Sequence, residues 1–227
     1  MTDDAPAPGL WCEIAAGNFT GRAALFLDRD GVINEDVHFL GHAEAVRILP
    51  GAAEAVARCN RLGIPVVLVT NQSGIARGLY DWQGFHDVQA ALAAALTRAG
   101  AHVDAVLACA YHADGRTPFR NADHPWRKPN PGMMIEAAAR MGLDLPHSWI
   151  VGDRARDIAA GHAAHLAGGI LISANERDPE RDAALALRTQ AFAVEICGSL
   201  EGAAALLFAR GAFAAGPAGV APPPKDR

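Results

Sequence analysis

No run of apolar residues in this 227-residue chain is long enough to span a bilayer, so no membrane partner is expected. Blocks of Lys and Arg are missing too, and the formal net charge is −5, which argues against a nucleic-acid footprint. Cysteine is scarce. Cys12, Cys59, Cys109 and Cys197 are scattered and read as free thiols in a reducing compartment rather than as a disulfide framework. The opening Met1-Thr2-Asp3-Asp4-Ala5-Pro6 lacks the basic start and apolar core of a secretory signal, so a cytoplasmic location is expected. What the chain does have is apolar residues, 51% of the total, with frequent Ala and Gly. That composition suits helices packed closely on a parallel sheet.

Residues 1–20 carry little pattern and read as an N-terminal extension, with Trp11 and Phe19 able to anchor part of it. The tail 211–227 is rich in Ala, Gly and Pro and reads as disordered. Between them, in 21–210, strand-like and helix-like segments alternate. Strands are predicted at 23–28, 65–70, 103–109, 149–152 and 169–173, with a weaker one at 192–196. Helices are predicted at 51–62, 82–99, 132–141, 155–166 and 200–209. In the second helix Phe85, Val88, Leu92 and Leu96 recur at three- and four-residue spacing, so one face is apolar. Such alternation implies right-handed βαβ units: an α/β, Rossmann-like parallel sheet with helices on both faces. Two connections, 31–49 and 110–131, exceed what a βα link needs, and long loops at strand ends usually serve binding.

The first strand candidate ends in Asp28-Arg29-Asp30-Gly31. Two carboxylates at the C-terminal end of a parallel strand repel unless a cation or proton lies between them. One aspartate can then attack phosphorus, its neighbour can handle the proton, and a metal can neutralise the site. A plain polar turn is the bland alternative. The second strand ends in Thr70-Asn71-Gln72-Ser73-Gly74, where a hydroxyl and backbone N–H groups suit an anion cradle, or an ordinary N-capping turn. The long second loop ends in Arg127-Lys128-Pro129. These two cations suit phosphate, although a bare pair is more often a solvated turn. The fourth strand ends in Gly152-Asp153-Arg154, and Asp157 follows one helical turn later on the same side. Alone, each motif is weak. Together, four successive strands deliver a carboxylate pair, a hydroxyl, a cation and a carboxylate to one end of the sheet.

With these four motifs the chain resembles the haloacid dehalogenase superfamily of phosphohydrolases. The runs 28–34, 70–78 and 127–133 are similar to the family of D-glycero-D-manno-heptose 1,7-bisphosphate phosphatases, in whose branch histidinol-phosphate phosphatases also fall. The resemblance implies a fold with no large cap domain. It implies an enzyme, a phosphoric monoester hydrolase acting on a small-molecule phosphate ester, most simply the heptose bisphosphate, and a monomer is compatible with it. It further implies that Asp28 forms an aspartyl-phosphate and that Asp30 serves as acid and then base. On the same resemblance Thr70 and Lys128 are expected to hold the phosphoryl oxygens, and Mg2+ is expected on Asp28, the Asp30 carbonyl and Asp153. Substrate contacts are expected from Arg29, Asn71, Gln72, Ser73, Arg127 and Arg154. The family's Cys-x-His and Cys-x-Cys zinc pairs are degraded here to Cys109-Ala110-Tyr111 and His124-Pro125-Trp126. His112 lies one residue late, so structural zinc on Cys109, His112 and His124 is not expected. Asp36-Val37-His38-Phe39 occupies the family's substrate loop but matches it poorly. Histidinol phosphate or another small ester, a nucleic-acid end phosphatase and a non-catalytic binding protein are the alternatives, in that order.

Overall fold

The computed structural model describes residues 7–213. The six predicted strands all form: β2 Leu25–Leu27, β3 Val66–Asn71, β4 Ala105–Cys109, β5 Trp149–Gly152, β6 Gly168–Ile172 and β7 Ala193–Cys197. So do the five predicted helices: α1 Ala52–Arg61, α3 Trp82–Arg98, α4 Gly132–Met141, α5 Ala155–Ala163 and α7 Leu200–Ala209. Besides two single-turn 3-10 helices, Ala43–Ala45 and Leu145–His147, three elements were not anticipated. The segment read as an extension supplies a strand, β1 Leu10–Ile14, and two short helices appear, α2 Ser73–Arg77 and α6 Pro179–Leu185. The extension reading of 1–20 is therefore corrected for this stretch. Most of the tail reading, over 214–227, lies outside the described residues.

The seven strands lie in the order β1-β4-β3-β2-β5-β6-β7. All neighbours are parallel except β1, which runs antiparallel to β4 with Leu10 opposite Cys109 and Ile14 opposite Ala105. Strand residues alternate between the two faces. Leu25, Leu27, Val66 and Leu68 pack with α1, α3 and α7 through Val56, Phe85, Leu92, Leu96 and Leu207. Phe26, Val67, Val69 and Ile150 pack on the other face with α4 and α5 through Met133, Met134, Met141 and Ile158. Burial on both faces explains why these strands read as unbroken apolar runs.

β2 is the centre, bonded to β3 on one side and β5 on the other. The chain first builds outward from β2 through β3 to β4, then crosses to start again at β5. Loops leaving the C-terminal ends therefore part on either side of β2. The crevice this opens is where such sheets bind ligands.

Candidate active site

Asp28 extends β2 by one bond, its N–H donating to Val151 O at 2.9 Å. The chain then turns back at Gly31, whose φ of +80° is left-handed and whose N–H donates to Asn34 O at 2.7 Å. Glycine is needed here twice over: a Cβ would take the αL penalty and would lie 2.7 Å from Asp153 Oδ2. Asp153 thus faces the turn that follows Asp30 at close quarters. At Gly152 a Cβ would collide with the Asp157 side chain.

Lys128 reaches the same floor from the long loop. Asn71 clamps its main chain, accepting from Lys128 N at 3.1 Å and donating to Lys128 O at 3.0 Å. Lys128 is 2% exposed, and its ammonium group lies 2.7 Å from Asp28 Oδ1 and 2.7 Å from Asp157 Oδ1 and donates to Val69 O at 2.7 Å. Burial would lower its pKa, but Asp157 and Asp28 outweigh that and raise it. Asp157 Oδ2 accepts from Arg154 N at 3.0 Å, closing the first turn of α5.

Carboxylates outnumber the cations that meet them. Burial pushes Asp28 up to about 6, with Lys128 opposing and the charges of Asp157 and Asp30 adding to the rise. Burial, then Asp28 and Asp157, push Asp153 up to about 7. Oxygens of Asp28, Asp153 and Asp157 lie within 4.8 Å of one another. Hard carboxylate donors crowded in this way suit a divalent cation. Both Asp157 oxygens already serve Lys128 and Arg154, which leaves Asp28 and Asp153 as the better-placed ligands.

Asp30 differs. Burial would raise it, but Arg29's charge and hydrogen bonds from Arg29, Asn34 and Gln72 hold it below the ordinary carboxylate range. The bonds are Arg29 Nε and Nη2 at 3.1 and 2.8 Å, Asn34 Nδ2 at 2.8 Å and Gln72 Nε2 at 3.3 Å.

Asp28, Asp30, Lys128 and Asp153 line a cavity of about 250 Å³ with Asp36, His38, Phe39, Thr70, Asn71, Gln72, Ser73, Tyr80, Arg154 and Arg156. Most of the predicted site residues are thus brought together. Two are not. Arg29 is 0% exposed and turned into the protein, bonded to Gln89 at 3.1 Å and lying over the Phe85 ring at 5.5 Å. Arg127 spends Nη1 on Tyr111 O at 2.9 Å, bracing its own loop. Neither is a cavity wall. Asn71 lines the cavity, but both ends of its amide serve Lys128. Arg156 and Tyr80 were missed. Arg156 sits in the first turn of α5, a placement the Asp153–Asp157 spacing could have revealed. Tyr80 lies in a turn with no local signal.

Beside the site, Cys109, His112 and His124 do not converge. Cys109 is buried at the end of β4. His112 Nδ1 accepts from Asp114 N at 3.0 Å, and its Nε2 faces Arg77 at 3.3 Å. His124 stacks on Tyr111, centroids 4.3 Å apart, and its Nδ1 accepts from Trp126 N at 3.1 Å.

Comparison with known proteins agrees with this geometry. Residues 125–196 match the HAD-hydrolase-like family model. The D-glycero-beta-D-manno-heptose-1,7-bisphosphate 7-phosphatase of Mesorhizobium japonicum is 48% identical over 167 residues, 73% of this chain and 77% of that one. The chain belongs to this family of HAD-like phosphatases. Among solved structures, one from Mesorhizobium loti described as a HAD-like phosphatase is 42% identical, with a TM-score of 0.77 over 88% of this chain and 95% of that one. The D,D-heptose 1,7-bisphosphate phosphatase of B. bronchiseptica, solved with magnesium and phosphate, is 32% identical, with a TM-score of 0.69 over 83% and 99%. Among the described residues no helix is long and apolar enough to cross a membrane.

Proposed function

We propose that this phosphatase removes the 7-phosphate of D-glycero-D-manno-heptose 1,7-bisphosphate with Mg2+, through an aspartyl-phosphate on Asp28. The observation that carries the reading is the floor of the cavity: Asp28 at a strand end, 2.7 Å from Lys128, with Asp153 packed against the Gly31 turn. The relatives' names support the substrate, and the two basic side chains lining the cavity, Arg154 and Arg156, suit a ligand with a second negative group.

Asp28, the Asp30 carbonyl and Asp153 would hold the metal. When bound, Mg2+ supplies the positive charge that lets a carboxylate approach a phosphate dianion. Asp28 attacks phosphorus as the ester P–O bond breaks, and Thr70 and Lys128 hold the remaining phosphoryl oxygens. Asp30 gives its proton to the leaving oxygen. It then takes one from the water that cleaves the acyl-phosphate, which frees Asp28 and inorganic phosphate. Its donors favour the ionised form needed for the second task. For the first it must enter protonated, and the substrate's negative charge raises its proton affinity. Uncatalysed phosphate-monoester hydrolysis is slow enough that accelerations reach about 10²¹, so positioning and electrostatics carry the work.

Phosphate release across sugar mono- and bisphosphates, histidinol phosphate and nucleotides tests the substrate. The heptose bisphosphate should give the highest kcat/KM, and Asp28→Asn should abolish turnover in a folded protein. A preference for histidinol phosphate would move the chain to the neighbouring activity. Full turnover by Asp28→Asn would remove the covalent mechanism.

The 110–131 loop stands without zinc on this reading, held by the Tyr111–His124 stack and Arg127. Elemental analysis should find well below one equivalent of zinc. One equivalent, lost in Cys109→Ser, would mean that the loop rearranges around a metal.

A further inference from the structure

The Gln72 side chain is 2% exposed, and its amide is the meeting point of four groups. Arg29 Nη2 donates to Oε1 at 3.3 Å and Tyr80 Oη donates to the same oxygen at 2.5 Å. Nε2 donates to Thr70 Oγ1 at 2.8 Å and to Asp30 Oδ2 at 3.3 Å. The orientation is fixed by chemistry. Arginine has no acceptor, so the end of the amide facing Arg29 is the oxygen and the N–H pair faces Thr70 and Asp30. A hydroxyl has one proton to give. Because Thr70 accepts from Gln72, that proton is left for an acceptor in the cavity that Thr70 lines. Arg29 is itself immobilised by Gln89 and the Phe85 ring, both on the buried face of α3.

We infer that Gln72 is a positioning residue, setting Thr70 as donor to the transferring phosphoryl group and Asp30 for proton transfer with a single amide. Tyr80 and Arg29 fix which way that amide points. Gln72 then acts through its two neighbours and needs no contact with the sugar. The inference rests on the acid–base role proposed for Asp30. In a satisfied buried network the bonds strengthen one another, so removing one member weakens the rest.

Esters without a sugar separate this role from substrate contact. Phenolate leaves less readily than 4-nitrophenolate and depends more on a donated proton. In Gln72→Leu, kcat/KM should fall for both phenyl and 4-nitrophenyl phosphate through the loss at Thr70. It should fall about tenfold further for phenyl phosphate, a fraction of the hundredfold or more that general acids supply. Tyr80→Phe, a mild change that keeps the test available if Gln72→Leu fails to fold, should show the same selectivity at about threefold, the Arg29 bond remaining. Asp30→Asn is the reference and should discriminate most strongly. If Asp30→Asn slows both esters equally, the acid–base reading of Asp30 is wrong. If Asp30→Asn discriminates while Gln72→Leu and Tyr80→Phe do not, the positioning role of Gln72 is overturned.

Discussion

Asp28 and Asp153 share a problem that neither can solve alone. Burial comes first for both, Asp157 and Asp30 add to it at Asp28, and Asp28 and Asp157 add to it at Asp153, which lifts them to about 6 and about 7. Folded, they hold protons more tightly than in the unfolded chain. Without a cation their contribution to stability is therefore greatest below about pH 4 and is lost as pH rises through about 7. A divalent cation must expel those protons to bind. Mg2+ affinity should accordingly rise with pH through about 6 to 7 and level off above. Calorimetry in buffers of different protonation enthalpy should detect proton release near pH 6 that vanishes by about pH 9. Affinity independent of pH across that window would contradict the crowding of these carboxylates. At this scale the sequence was informative wherever a residue closes a strand. It was less so for Arg29. The structure buries it, with Nε and Nη2 on the Asp30 carboxylate and Nη1 on Gln89. The one signal was that partner, a glutamine inside the apolar stripe of Phe85, Val88 and Leu92. The destination of Arg127 had no local signal, because its partner, the Tyr111 carbonyl, lies 16 residues away.

Among the elements, the β5–α5 junction carries the greatest constraint. Its strand ends in Gly152, and the helix returns Asp157 directly over that glycine. A methyl group there would meet the Cβ of Asp157, which no side-chain rotation can move. Gly152→Ala should therefore cost about 1–3 kcal/mol of stability and lower kcat by displacing Asp157 from Lys128. Denaturant unfolding and turnover read the two effects. Unchanged stability together with unchanged kcat would show that the junction yields. Long elements were legible because each repeats its pattern, period 3.6 in α3 and continuous burial in β3 and β4. Three of the short ones were not. α2 spans five residues, too few for a period, and its Ser73 and Gly74 read equally as a turn. α6, from Pro179 to Leu185, buries only Ala184. β1 is five residues whose burial is mostly partial, so its pairing comes from β4 rather than from its own sequence.

At the scale of the whole molecule, one central strand divides the work. Elements on one side of β2 bring Thr70, Gln72 and Lys128, and those on the other bring Asp153 and Asp157. Lys128 Nζ bridges them at 2.7 Å each way, so the two halves meet in one ion-paired centre. The described fold carries no inserted cap among its residues, in line with the sequence expectation. The cavity is walled instead by Asp36, His38 and Phe39 from the 31–49 loop and by Arg154 and Arg156. His38 and Phe39 hold φ of +48° and +59°, strained values for such side chains, in the loop where the family match was poorest.

The first strand covers an edge of the sheet that would otherwise be open. Without Leu10–Ile14, the outermost strand would be Ala-Val-Leu-Ala-Cys of β4, buried along its whole length. Its free N–H and C=O groups would invite a neighbouring chain to add on. Trp11 also shields Trp82 and Phe85, at 5.8 and 5.5 Å. With the strand in place, the sheet instead ends on a segment whose Glu13 faces solvent, and a charge on an edge discourages pairing. A chain shortened to begin at residue 21 should therefore self-associate more than the full chain, which light scattering would register as growth with concentration. A shortened chain that associates no more than the full one and keeps its activity would show that β1 is an appendage after all.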